Sequence, residues 1–378
     1  MQNNHWQALR HQLHQHPELS GTEQATAQLI AEQLKTLNPN RLYTDIGGHG
    51  VAACFDSKHS GPAVLFRAEL DALPIHEINT FAHRSVTPGV SHKCGHDGHM
   101  TILLALASHI AQHRPDTGSA IILFQPAEET GEGARAVVAD PVFDTLAPDY
   151  CFALHNLPGH PMGQVMIKAG SFNCASRGLT VRLSGKTAHA AYPETGISPA
   201  NAIAELIQTL PGLAPKISHD ELVMLTLIHC SLGEAAFGTS PGQATLLATL
   251  RSESDRAMQQ LITTVTDHCK TVAQSHWLTV EFEWADIFAA SHNDAECAQL
   301  VAEAAGSCGQ PVKWLDDPFR WSEDFGAISA TTRGAMFALG AGEDTPQIHN
   351  PDYDFPDQLI ATGTDIFTTI FKRLLITA

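Results

Sequence analysis

Ser91-His92-Lys93-Cys94-Gly95-His96-Asp97-Gly98-His99-Met100 gathers three His, one Cys and one Asp directly ahead of the apolar run Ile102-Leu103-Leu104-Ala105-Leu106-Ala107. The donors stand at the entrance of a helix. Thiolate and imidazole suit a borderline-soft divalent ion, and Cys94 and His96, one glycine apart, can reach into one cavity. The stretch therefore reads as a metal site. A second chemistry is open to the same residues, because the positive end of the following helix and a nearby imidazole would lower the thiol pKa and make Cys94 a nucleophile. The plainest reading is a polar loop with a packed cysteine. The stretch by itself leaves all three open.

Working outward, Ala63 to Phe66 has the β-branched and aromatic content of a strand and runs into Arg67-Ala68-Glu69-Leu70-Asp71-Ala72-Leu73-Pro74. Downstream, Ala120 to Phe124 reads as a buried strand that ends in Gln125-Pro126-Ala127-Glu128-Glu129, and Tyr150 to Leu154 as another that delivers His155-Asn156. In open α/β sheets ligands bind outside the carboxyl ends of strands, and Asp71, Glu128, Glu129 and His155 all fall there. Taken alone, Glu128-Glu129 would read as an exposed acidic turn. Its placement beside two other strand ends favours the site.

Farther out, helical spacing on both sides of His16-Pro17-Glu18-Leu19-Ser20-Gly21 predicts two helices between Trp6 and Leu37, the second capped by Ser20 or Thr22. Val51 to Phe55 reads as a strand, and Met100 to Ala111 as the helix behind the Cys94 loop. After Gly170 the pattern changes to the apolar and polar alternation of a half-exposed antiparallel strand, Leu179 to Ser184. A helix from Ser198-Pro199, strands at Leu222 to His229 and Ala244 to Ser252, a helix from Asp255 and a strand at Leu278 to Trp284 complete two β-α-β units. Buried patterning resumes at Met336 to Leu339, and Gln358 to Leu375 closes the chain as an amphipathic helix. The expected organisation is an α/β domain in two parts, 1–170 and 289–378, with a smaller α+β domain, 171–288, inserted between them.

With 378 residues, two domains are the default. Lys and Arg total 22 against 40 Asp and Glu, a formal charge of -18, which argues against a nucleic-acid or anionic-membrane binder. The eight Cys show no short repeated spacing, so reduced thiols in a cytosolic compartment fit better than a zinc ribbon or disulfide scaffold. No apolar signal core opens the chain and no apolar run reaches membrane-spanning length. A cytoplasmic protein is expected.

Assembled in order, Leu13-His14-Gln15-His16-Pro17-Glu18-Leu19, Arg67 to Pro74, Cys94-Gly95-His96-Asp97, Pro126-Ala127-Glu128-Glu129, Leu154-His155-Asn156, Gly185 to Ala191, Ser322-Glu323-Asp324-Phe325 and His349-Asn350-Pro351 resemble the zinc-type metallopeptidase and amidohydrolase family of hippurate hydrolase, auxin-conjugate hydrolases and N-acetyldiaminopimelate deacetylase. The resemblance runs nearly end to end. It implies a zinc-peptidase-like catalytic domain with an inserted lid and dimerisation domain, and two divalent ions per subunit, Zn, Mn or Co, held by Cys94, His96, Glu129, His155 and His349. It further implies Glu128 as general base, Asp71 as the aspartate that steadies a metal-binding histidine, and Arg251 as a contact for a substrate carboxylate. His189, in the Gly185 to Ala191 turn, is implied to complete the active site of a partner subunit in a homodimer.

The implied chemistry is hydrolysis of the amide bond of an N-acyl amino acid or related small amide, because a divalent ion both lowers the pKa of water and polarises a carbonyl. A base that moves the proton from water to the leaving amine completes it. Two departures stand out: Glu69 replaces the usual Asp, and Ala236-Phe237-Gly238-Thr239-Ser240-Pro241 lies where many relatives carry an asparagine that helps bind the carboxylate. Gly238 has no side chain for that task. The competing functions are a cysteine hydrolase using Cys94 and a non-catalytic binder on the same fold.

Overall fold

The computed structural model describes residues 2–218 and 220–377 and divides into two units, Met1–Phe172 with Ser291–Pro318 and Glu323–Ala378, and Asn173–Ala290 with Phe319–Ser322. In the first unit eight strands form one sheet in the spatial order Arg41–Ile46, Gly50–Asp56, Ser119–Gln125, Ala63–Glu69, Tyr150–Leu157, Arg333–Gly340, Val165–Ile167 and Val312–Trp314. The four from Ser119–Gln125 to Arg333–Gly340 are parallel to one another, so their carboxyl ends share one edge. Runs such as Ala120-Ile121-Ile122-Leu123-Phe124 are fully buried, as parallel strands covered on both faces must be. Helices His96–Gln112 and Gln358–Leu375 pack on each other, and their apolar residues share one core with the sheet.

Local deviations from the sequence expectation have physical causes. The second helix, Gln24–Thr36, is capped by neither Ser20 nor Thr22; the Glu18 carboxylate accepts from the N–H groups of Ala25 and Thr26 at 3.2 and 2.7 Å, while Ser20 Oγ donates to Asp71. The helix behind the Cys94 loop begins at His96, four residues before the expected Met100, because Gly95 turns the chain at φ 99°. A Cβ there would lie 2.2 Å from Asn156 Oδ1, so the turn requires glycine. His155 and Asn156 lie inside their strand, paired with Ala338 and Leu339, where two polar residues interrupt the apolar signal. The strand Arg41–Ile46 is an antiparallel edge with an irregular register, and its mixed sequence hides it.

The second unit is a four-stranded antiparallel sheet in the order Val223–Leu232, Gln243–Ser252, Ala175–Ser184, Thr279–Phe288. Leu179, Val181 and Leu183 alternate inward with Leu246, Ala248 and Leu250, and helix Asp255–Ser275 lays Met258, Leu261, Val265, Cys269 and Val272 against them. Ser254 caps that helix by accepting from Ala257 N–H. A short ribbon pairs Ala188–His189 with Thr239–Ser240. Phe319–Ser322 joins this unit through the Cys174 N–H bond to the Phe319 carbonyl. The α/β fold with a smaller α+β unit is thus the one expected, and no helix among the described residues is long and apolar enough to cross a membrane.

Candidate metal centre

At the shared carboxyl edge of the first unit, the sheet and one helix entrance bring seven of the predicted residues together. Asp71 follows Ala63–Glu69, Glu128 and Glu129 follow Ser119–Gln125, His155 stands in Tyr150–Leu157, and His349 lies on the loop after Arg333–Gly340. Cys94 and His96 flank the Gly95 turn. Three overlapping groups each place their donor atoms within 4.8 Å of one another: Cys94, His96 and His155; Cys94, Glu129 and His349; His96, Glu128 and Glu129. Cys94 belongs to two of them. Arg251 and His189 belong to the second unit, on Gln243–Ser252 and on the short ribbon.

The hydrogen bonds set which donor atoms face the cavity. His96 Nδ1 lies 2.9 Å from the Asp71 carbonyl, which makes it the protonated nitrogen and turns the Nε2 lone pair towards Glu128 and Glu129, each 3.8 Å away. His155 Nδ1 donates in the same way to the Asn156 carbonyl at 2.8 Å, leaving Nε2 3.3 Å from Cys94 Sγ. His96 Nε2 and Glu129 Oε1 are buried with no hydrogen-bond partner. Two orphaned acceptors aimed at one space, next to a thiol and an imidazole, are what a cation would satisfy. Asp71 Oδ2 accepts from the Glu129 N–H at 2.9 Å and from Ser20 Oγ at 2.7 Å, and its Oδ1 is 3.4 Å from His96 Nδ1.

The electrostatics record an excess of negative charge. Burial, then Glu323 and Glu129, push Glu128 well above the ordinary carboxylate range, and burial raises Glu129 to about 7. For His96, burial pulls downward, but Asp71, Glu69 and Glu129 raise it to about 10. Burial and then the Glu129 and Glu128 charges raise the Cys94 thiol well above its usual value. His155, the nearest imidazole, is driven down to about 3 by burial and by His99. A thiol held protonated beside so weak a base is poorly set up as a nucleophile. The mixed S, N and O donor set instead fits a pair of divalent cations, which would neutralise this excess.

Behind these residues lies a buried ionic frame whose pairing the sequence does not show. Arg67 donates to Glu69, to Gln125 Oε1 at 2.8 Å, to Glu323 at 2.9 Å and to Asp324 at 2.7 Å. Glu69 in turn holds His99 Nδ1 at 2.6 Å, whose Nε2 lies 2.6 Å from Asn156 Oδ1. An arginine two residues before a glutamate, in a strand whose other residues are apolar, was the available signal. Its partners Glu323 and Asp324 lie more than 250 residues away in the chain, beyond any local pattern.

Residues 65–373 match the model of peptidase family M20/M25/M40. The chain belongs to that family. It is 28% identical to the hippurate hydrolase of Campylobacter jejuni over 372 residues, covering 98% of this chain and 96% of the relative. It is also 28% identical to the N-acetylcysteine deacetylase of Bacillus subtilis over 374 residues, covering 96% and 94%. A solved Bacillus subtilis structure, a dinuclear metal binding peptidase of the M20 family, has the same fold at a TM-score of 0.84, with 24% identity and 100% and 99% of the two chains covered. Family membership and the metal-ligating clusters together make this M20 chain a metal-dependent hydrolase of C–N bonds. That answers the choice between a metal hydrolase, a cysteine hydrolase and a binder.

Proposed function

We propose that this M20 hydrolase removes the acyl group from N-acyl amino acids that carry a free α-carboxylate, working as a cytoplasmic homodimer. The observation that carries the substrate class is Arg251. Its guanidinium donates to Ser322 Oγ and to the Arg320 carbonyl, both at 2.9 Å, burial lowers its pKa, and among the described residues no carboxylate forms an ion pair with it. A partly buried arginine whose remaining donors lack an acid is completed by a planar carboxylate. Both bacterial relatives are named for N-acyl amino acids.

In this reading Cys94, His96, Glu129, His155 and His349 hold two divalent cations, and Asp71 fixes the His96 ring through Nδ1. When bound, the cations lower the pKa of water and polarise the substrate carbonyl. Glu128 takes the proton of the attacking water and delivers it to the amide nitrogen; the new C–O bond forms, the C–N bond breaks, and a carboxylate and an amine leave. Burial among Glu323 and Glu129 raises the proton affinity of Glu128, which suits a group that must hold that proton between the two steps. For His189, the Ala191 N–H donates to Nδ1 at 3.0 Å, so a neutral ring carries its proton on Nε2 as a donor. That proton would meet the oxyanion of a neighbouring subunit.

The test compares an N-acyl amino acid with its α-carboxamide, using protein stripped of metal and reloaded with Zn, Mn or Co. The acid should be strongly preferred, and Arg251→Ala should erase most of the preference by raising KM. Equal cleavage of acid and amide, unchanged in Arg251→Ala, would exclude the carboxylate reading.

A further inference from the structure

The loop that carries His349 comes from the far end of the sequence, yet Lys93, the residue next to Cys94, is hydrogen-bonded to it twice. The main-chain carbonyl of Lys93 accepts from the His349 N–H at 2.7 Å. Its side chain, fully buried, donates through Nζ to the Tyr353 carbonyl at 2.7 Å and to the Glu77 carboxylate at 2.5 Å. One lysine, immediately ahead of Cys94, thus grips the other loop at both ends of His349–Tyr353. The loop needs a grip: His349 has φ 66°, a left-handed conformation that a residue with a side chain adopts only when its surroundings impose it. The His349 side chain is also half exposed, so packing does little to hold its imidazole 3.7 Å from Glu129.

We infer that Lys93 is a positioning residue that presets His349 for the cation shared with Cys94 and Glu129. The inference rests on reading His349 as a ligand. Cys94, His96 and His155 form the other group, and neither histidine there depends on Lys93: His96 is held by Asp71 and His155 by the Asn156 carbonyl. The Lys93 side chain therefore bears on the His349 loop and on neither of those histidines, and Cys94, common to both groups, stands on the Gly95 turn. Glu77 does not lose its only cationic neighbour when the ammonium is removed, since it still lies 3.1 Å from His14 Nε2 and accepts the Ser85 N–H. Methionine at position 93 keeps most of the side-chain volume while removing the donor.

The experiment titrates metal-stripped full-length protein with Zn2+ against a chelating indicator and resolves the two binding steps. Lys93→Met should weaken one step by about 10- to 100-fold, the range for groups that orient a ligand, and leave the other within about twofold. A uniform loss in both steps, or no change in either, overturns the clamp. His349→Ala separates this from its premise: if that variant still binds two ions with wild-type affinity, His349 is not a ligand and the premise fails. Hydrogen exchange on the metal-free wild type gives a reading that needs no variant to fold. The His349 amide should be protected before any metal is added, and exchange at the rate of an open loop would overturn the proposal.

Discussion

Glu128 and Glu129 are neighbours in sequence with different surroundings. Glu128 sits among Glu323, Asp324 and Glu129, whereas Glu129 shares a donor group with Cys94 and His349. Removing the first takes away a proton carrier and removing the second opens the metal shell, so the two should separate experimentally. Glu128→Gln should lower kcat by about 100- to 10,000-fold with two ions retained, while Glu129→Gln should lose an ion as well as activity. Metal analysis of both purified variants beside their rates checks this, and an active Glu128→Gln protein would remove Glu128 from the mechanism. Gly238 offers a second test at this scale. A Cβ built there meets nothing within 4 Å and the backbone requires no positive φ, so Gly238→Asn fits without strain. If the missing amide limits carboxylate recognition, Gly238→Asn should lower KM for N-acyl amino acids by several-fold and leave KM for their carboxamides unchanged. A shift of equal size for both would count against it.

At the scale of elements, the strands were legible because the central sheet buries them on both faces and their apolar runs end in acids. Ala120 to Phe124 followed by Glu128-Glu129 gave both a strand and the acids at its carboxyl end. The frame between elements was not legible, since a buried ion pair joins residues that no periodicity relates. The first helix, Gln2–Gln15, shows this: Leu9 and Leu13 mark its buried face, but Arg10 and His14 on it bind Asp97, beside His96, and Arg10 also binds Asp354 and Asp357 beyond His349. Burial lowers the His14 pKa, but bonds to Asp97 and Glu77 outweigh it and raise the value to about 9. The folded state thus binds a proton more tightly than the unfolded chain, whose histidine titrates near 6.5. This stabilisation is complete below about 6.5 and is lost as pH rises through about 9, a difference on the order of 1 to 3 kcal/mol. Thermal unfolding of the wild type should weaken over that window, and His14→Gln should be less stable at pH 6 and show a flatter alkaline limb. Parallel curves for the two proteins would show that the His14 proton does not contribute.

For the whole molecule, net charge and the proposed substrate class pull in opposite directions. A chain with a formal charge of -18 offers no general attraction to an anionic substrate, so the proposed recognition of a carboxylate would fall to local groups such as Arg251. His189 poses the same question at the level of the assembly. It is exposed on its ribbon, with Thr239 across from it and its Nδ1 satisfied by the Ala191 N–H, which leaves Nε2 free to donate. The second unit also presents an edge strand, Val223–Leu232, paired on one side with Gln243–Ser252 and on the other with no strand among the described residues, with Ile228 and Leu232 exposed, and an edge of that length is a surface that a second copy can continue. If the dimer forms there and His189 serves the other subunit, each active site is built from two chains. An oxyanion donor acts in the transition state, so His189→Ala should lower kcat roughly 100-fold or more with little change in KM or in bound metal. The trans arrangement then makes a claim that no single variant can. Mixing inactive His189→Ala with inactive Glu128→Gln protein, under conditions that exchange subunits, creates heterodimers in which one site has both an intact Glu128 and His189 of the partner subunit. Part of the activity should return, up to about a quarter of the wild-type value when mixing is random and equal. Full activity in a protein that stays monomeric, or no recovery in heterodimers shown to form, would place His189 outside the partner's reaction.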